Sequence, residues 1–168
     1  LVPAGMFLKE LELPPPDHGL GVSTGSSDTQ TGRSLIALES SVVRESPDWI
    51  FAVGAVDGAL AAALVGRMSG VPVAHLEAGL RAGNSHEAIE INRLLTDRLS
   101  DALFVAEPET HANLLDEGID ASRIHFVGNT VADTVSRLRS RYLALELPEV
   151  MGLDEGEYVV GLLTGTDA

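Results

Sequence analysis

Cysteine is missing from all 168 residues, which excludes disulfides, thiolate metal ligands and cysteine nucleophiles together. Lysine is nearly missing as well. Lys9 stands alone against 25 Asp and Glu residues, and the formal net charge is −14. A surface of that sign argues against nucleic acid as a partner, because phosphate binding needs a basic face. An acidic, lysine-poor surface is typical of salt-adapted proteins; an ordinary acidic protein that prefers arginine is the alternative. No apolar run approaches the roughly 18 residues of a membrane span, so no membrane partner is expected. The opening LVPAGMFLKELELPPP lacks the basic start and long apolar centre of a signal peptide, and a cytoplasmic location is the expectation. Internal repeats and low-complexity tracts are also lacking.

What remains is a chain with 45% hydrophobic residues, long enough to bury a core and read here as one domain over residues 1–168. Phe7 to Leu13 has weak helical spacing and ends at Pro14-Pro15-Pro16. His18 to Asp28 is rich in Gly and Ser and reads as a loop. Its Gly19-Leu20-Gly21 does not make a dinucleotide loop, since Gly25 falls one residue too late for GxGxxG and no clear strand precedes it. Thr31 to Glu45 has helical periodicity, with Leu35, Leu38 and Val42 on one face.

A strongly apolar strand follows at Trp49 to Val53. Asp57 is placed to cap a helix from Gly58 to about Met68, which Ser69-Gly70 stops. Val71 to Leu76 is short, partly β-branched and continuous in apolar character, as in a buried parallel strand. A helix then carries Glu90, Arg93 and Asp97 on one face, with Ile91, Leu95 and Leu99 marking the other. Taken alone, that spacing describes an exposed, salt-bridged helix. Leu103 to Val105 is the next strand, and Pro108 opens a helix that ends near Gly118. Ile124 to Val127 is a strand, Gly128-Asn129-Thr130 a turn, Val131 to about Leu143 a helix, and Tyr158 to Leu163 a last strand. Strands and helices alternate through short connections, so the fold class is α/β: a Rossmann-like parallel sheet with helices on both faces. The four strands from Trp49 to Val127 are expected to lie parallel in one sheet.

Glu77 follows the Val71–Leu76 strand directly, and ligands of α/β sheets bind at the carboxyl ends of strands. From there the chain reads His75-Leu76-Glu77-Ala78-Gly79-Leu80-Arg81, then Ile89-Glu90-Ile91-Asn92-Arg93, then Leu95-Thr96-Asp97. These three linked stretches resemble the VEAGLR, PEEINR and LTD motifs of the non-hydrolysing UDP-N-acetylglucosamine 2-epimerases. Gln30-Thr31-Gly32-Arg33 matches a further segment of that family. The likeness runs from about Phe7 to Asp133, and more loosely to the end.

The resemblance implies one half of a two-domain, GT-B-like arrangement: most of the first domain, without its first strand or two and without the second domain. It implies a UDP-sugar as ligand and inversion at C2 by elimination and re-addition of UDP, with no cofactor and no metal. Glu77 matches the acidic residue of EAGLR and would serve as acid or base, or hold the sugar. The other reading makes it a structural carboxylate that accepts bonds from loop N–H groups. Arg81 would contact the sugar-nucleotide or anchor Glu77. Glu90 and Arg93 match the last Glu and the Arg of PEEINR. Arg93 is the better ligand contact of the two, since a guanidinium suits phosphate, with pairing to Glu90 or Asp97 as its alternative. Asn129 matches a Gly-Asn turn that contacts ligand or only shapes the backbone.

Departures from the pattern carry as much information. Val53-Gly54-Ala55 stands where the family has His-Gly-Asp or Tyr-Gly-Asp, so Ala55 replaces a proposed catalytic carboxylate. Ile89 replaces the first Glu of PEEINR. Thr164 to Asp167 stands where the family has Thr-Ala-His-Arg. Asp57 reads as a helix cap and not as a substitute carboxylate, and ordinary roles are expected for His75 and His86. The expectation is therefore an epimerase-family protein that is inactive as this chain, the alternative being a non-catalytic binding or assembly module. Uncovered apolar surface would call for a partner, either a homo-oligomer or a second domain.

Overall fold

Four short strands carry the apolar runs: β1 (Ile50–Val53), β2 (Val73–Leu76), β3 (Ala102–Val105) and β4 (Ile124–Phe126). They form one sheet in the order β1-β2-β3-β4, and every pairing is parallel, as the alternating pattern predicts. This computed structural model describes residues 8–161 apart from 10, 23, 84–85, 155 and 160. The helices are α1 (Ser27–Glu45), α2 (Asp57–Ser69), α3 (Ala88–Leu99), α4 (Pro108–Asp116), α5 (Thr130–Leu143) and the single turn α6 (Leu147–Val150). Two compact units result. One runs to Gly128 and holds the sheet with α1 to α4; the other begins at Asn129 and holds α5 and α6.

Within the first unit, two apolar clusters share one face of the sheet. Ala59 and Ala63 of α2 pack on Ala52 and Val73, with Ile50 and Leu99 beside them. Leu114 of α4 packs on Leu103, Val105 and Ile124, joined by Ala78 and Ile119. Between the clusters the same face carries His75, in register with Ala52 on one side and Leu103 on the other. The alanines let α2 lie close to the sheet. Gly66 takes this to the limit, because a Cβ there would fall 2.4 Å from Val73 Cγ2. On the other face, Phe51 and Val53 of β1 remain exposed, at 63% and 54%.

Local chemistry fixes the helix ends. Ser26 caps α1 through a bond from the Thr29 amide, so the helix begins at Ser27, four residues before the periodicity suggests. Gly70 closes α2 in the left-handed conformation at φ 73°. Pro108 occupies the first turn of α4, and the Thr110 hydroxyl bonds the Glu107 carbonyl at 2.7 Å. Arg123 donates to the carbonyls of Ser100 and of Asp97 and Arg98, the latter two at 3.4 Å, neutralising the negative end of α3.

Three sequence expectations change. Asp57 does not cap α2: Val56 holds that position, and the Asp57 carboxylate is drawn instead to Ser27 and Asn92. The helix expected at Phe7 to Leu13 lies partly outside the described residues; Leu8 and Lys9 are helical, and Leu11 and Glu12 form a turn closed by a 2.8 Å bond from the Leu13 amide to the Leu8 carbonyl. The strand expected at Tyr158 to Leu163 lies mostly outside them, and Tyr158 and Val159 belong to no strand.

One glycine is required by both conformation and space. Gly79 has φ 80°, and a Cβ there would sit 2.3 Å from the Thr110 carbonyl oxygen of α4. Gly79→Ala is expected to destabilise the chain by more than ~1 kcal/mol, measured as a lower urea midpoint. An unchanged midpoint would mean that the β2–α4 contact is looser than described.

Candidate functional site

The candidate site lies where β1 and β2 end and α2 and α3 begin, the ligand side of an open parallel sheet. Glu77 is the first residue after β2. Its backbone is left-handed at φ 65°, an uncommon conformation for a residue with a side chain. The carboxylate turns toward the β1 end, with Oε2 3.3 Å from where a Gly54 Cβ would be. Among the described residues no hydrogen bond holds it. The loop N–H groups that would make Glu77 a structural carboxylate are therefore spent elsewhere.

They are spent on α3. The Ala82 amide reaches both Glu90 oxygens at 3.2 Å, and Arg93 bonds Glu90 at 2.9 Å. The Gly79 amide reaches Asp97 Oδ2 at 3.2 Å. Glu90 and Asp97 are 3% and 1% exposed, whereas Ile91 and Leu95 are 42% and 45% exposed. The charged face of α3 is thus its inner face, the reverse of the exposed helix that spacing alone describes. Arg81 is gripped by Glu117 through two bonds, 2.6 Å and 2.7 Å, and lies 2.9 Å from Asp97. Burial works against its charge, but Glu117 and Asp97 outweigh that and raise its pKa above the usual guanidinium value. Arg81 pairs with these two carboxylates and not with Glu77. Asn129 belongs to the second unit, where its side-chain oxygen caps α5 through the Val131 and Ala132 amides at 2.9 Å and 3.3 Å.

At the starts of α2 and α3 opens a cavity of about 520 Å³, which Glu77, Arg81, Glu90 and Arg93 do not line. Ala55 and Ile89, two of the three places where the resemblance shows a departure, both line it. Leu20, Val22, Val56 and Ala88 make the wall largely apolar, while Ser27, Asp57 and Asn92 form its polar corner. Asn92 donates to the Ala55 carbonyl at 3.1 Å and to Asp57 at 3.0 Å. The Ser27 hydroxyl also donates to Asp57, and this bond, opposed by desolvation and helped by Asn92, lowers the Asp57 pKa. Sequence reasoning left Ser27 and Asn92 unassigned. The Asn92 position next to Arg93 was the available signal, since a buried amide at a helix start pairs with neighbouring backbone. Among the described residues no group of three or more His, Asp or Glu side chains is arranged to hold a metal ion. No helix among them is long and apolar enough to cross a membrane.

A parallel α/β sheet with polar side chains gathered at the carboxyl ends of its strands has the ligand side of an open α/β domain. The family follows from comparison. The model of the UDP-N-acetylglucosamine 2-epimerase family matches residues 4–162, and the chain belongs to that family. It is 39% identical over 135 residues to the UDP-N-acetylglucosamine 2-epimerase of Methanococcus maripaludis, covering 80% of this chain and 37% of that protein. It is 37% identical over 131 residues to the UDP-2,3-diacetamido-2,3-dideoxy-D-glucuronate 2-epimerase of Pseudomonas aeruginosa, covering 77% of this chain and 37% of that protein. The Methanocaldococcus jannaschii epimerase, solved in complex with UDP-GlcNAc and UDP, superposes with a TM-score of 0.78 at 40% identity over 80% of this chain and 37% of that one. The chain thus spans little more than a third of the length of these relatives.

The lowered pKa of Asp57 predicts a pH dependence. A depressed folded-state value stabilises fully above the unfolded value of about 3.9 and is lost as pH falls through the folded value. Asp57→Asn should therefore be less stable than the parent at neutral pH, and the difference should shrink as pH falls below about 4. Urea unfolding at a series of pH values checks this; a difference that holds constant throughout would count against it.

Proposed function

We propose that this chain is the first-domain half of a UDP-N-acetylglucosamine 2-epimerase fold in which Glu77 is the one acid–base group kept, and that alone it does not interconvert UDP-GlcNAc and UDP-ManNAc. The reading is supported by the cavity at the strand ends, which Ala55 and Ile89 line; by the resemblance, both stand where the family has carboxylates. Inversion at C2 removes a proton on one face of the sugar and delivers one on the other. A general acid or base supplies about 10²–10⁴-fold each, so losing two removes most of the acceleration. Asp57 is a poor substitute: with its pKa lowered it stays ionised, and both partners hold it in place. Arg81 is spent on Glu117 and Asp97 and Arg93 on Glu90; of the two guanidiniums Arg93, at 20% side-chain exposure against 14%, is the more accessible to a diphosphate.

A second reading, a binding or assembly module without chemistry, is favoured by the same apolar wall. NMR of UDP-GlcNAc in D₂O with the protein separates the two. The expected outcome is no deuterium at C2. Line broadening of the sugar-nucleotide without exchange would favour the binding module. Exchange at an enzymatic rate, abolished by Glu77→Gln, would make the chain a working epimerase and overturn the proposal.

The reading includes a partner, either a second copy or a second domain. Phe51 and Val53 on the edge strand β1 are the support, since an apolar sheet edge is ordinarily covered. Sedimentation is expected to show an assembly larger than a monomer, and a stable monomer across concentration and salt would count against a homo-oligomer.

A further inference from the structure

We infer that His75 is held as a doubly protonated imidazolium, and that in this form it positions the Gly54 turn beside Glu77. This goes beyond the proposed function and does not rest on it.

The ring sits in the middle of β2 and is 1% exposed. Nδ1 lies 2.6 Å from Asp97 Oδ1, and Nε2 lies 2.9 Å from the Gly54 carbonyl oxygen. A carbonyl oxygen can only accept. A neutral imidazole has one N–H and one lone pair, so it can satisfy one of these two partners and must oppose the other. Asp97 could resolve the conflict by carrying a proton itself. Its second oxygen argues otherwise, because it takes the Gly79 amide at 3.2 Å and the Arg81 guanidinium at 2.9 Å. Those donors favour the carboxylate. Both ring nitrogens then face acceptors, and both must donate.

A lone buried imidazolium would be costly. Here the charges alternate from His75 to Asp97 to Arg81 to Glu117, and the chain of four sums to zero. The groups facing the ring are few. From α3 comes Asp97, from the turn after β1 the Gly54 carbonyl, and Glu77 lies two residues further along the chain, just past β2. Gly54 also donates its amide to the Leu76 carbonyl at 3.1 Å, so the turn is pinned to β2 at both its N–H and its C=O. Removing the Nε2 proton would set lone pair against lone pair and free the carbonyl end. The residues that would shift are Gly54, against which Glu77 lies, and Ala55, which lines the cavity.

The test uses the full chain, uniformly ¹⁵N-labelled, and a long-range ¹H–¹⁵N correlation of its five imidazoles. His75→Gln assigns the His75 ring by its loss. Both His75 nitrogens are expected at protonated shifts in the folded chain, with free imidazole added as a control. In Asp97→Asn the side-chain amide can donate to the ring, so one His75 nitrogen should become bare. An unprotonated His75 nitrogen in the parent chain, with the amide spectrum still that of the folded protein, overturns the inference even if Asp97→Asn fails to fold. Where the ring is lost in His75→Gln, the Gly54 and Ala55 amide signals should move. Signals that stay fixed would show that the ring does not position the turn.

Discussion

Asp97 is the group on which the site depends. It is a buried carboxylate on α3 that takes His75 from β2, the Gly79 amide from the following turn and Arg81 from the loop beyond. A carboxylate can be buried at this cost only when its lone pairs are filled, and here donors from three stretches of chain fill them. The same bonds set where those stretches run. Arg81 carries the tie onward to Glu117 at the end of α4, so the first unit's helices are linked by polar contacts across the apolar clusters beneath them. Removing one partner would leave a buried charge uncompensated, which is worse than having no pair at all.

With the internal donors consumed there, the contrast with Glu77 is physical and not only positional. Neighbouring carboxylates on α3 are bonded and buried, while Glu77 stands on a strained backbone with no partner among the described residues. Strain of this kind persists only where the surroundings impose it.

Much of the fold was legible in the sequence because its signals are local. Apolar runs of four or five residues, Pro108 and Gly70 place strands and helix ends without knowledge of the rest of the chain. The site was legible only in part. The motif residues were found, but the spacing of Glu90, Arg93 and Asp97 is the same for a solvated face and for a buried one. What decides between them is the supply of backbone donors from the β2 turn, which is a tertiary fact. Asp57 was misread for a related reason: a carboxylate at a helix start usually caps, unless Ser27 and Asn92 approach it from elements distant in sequence. His75 gave no signal, since a histidine in an apolar strand looks the same whether or not an aspartate waits across the helix.

The strand order has a consequence for how the chain comes to be folded. Each strand pairs with the one made just before it, so the sheet extends in a single direction by one strand and one helix at a time. A newly made segment finds its template already standing and need not wait for a distant part of the sequence. Each pairing spans a single strand–helix–strand unit, which costs less loop-closure entropy than joining distant parts of the chain. The first unit is in this sense suited to assembly in chain order during synthesis, each strand laid down against the one before it.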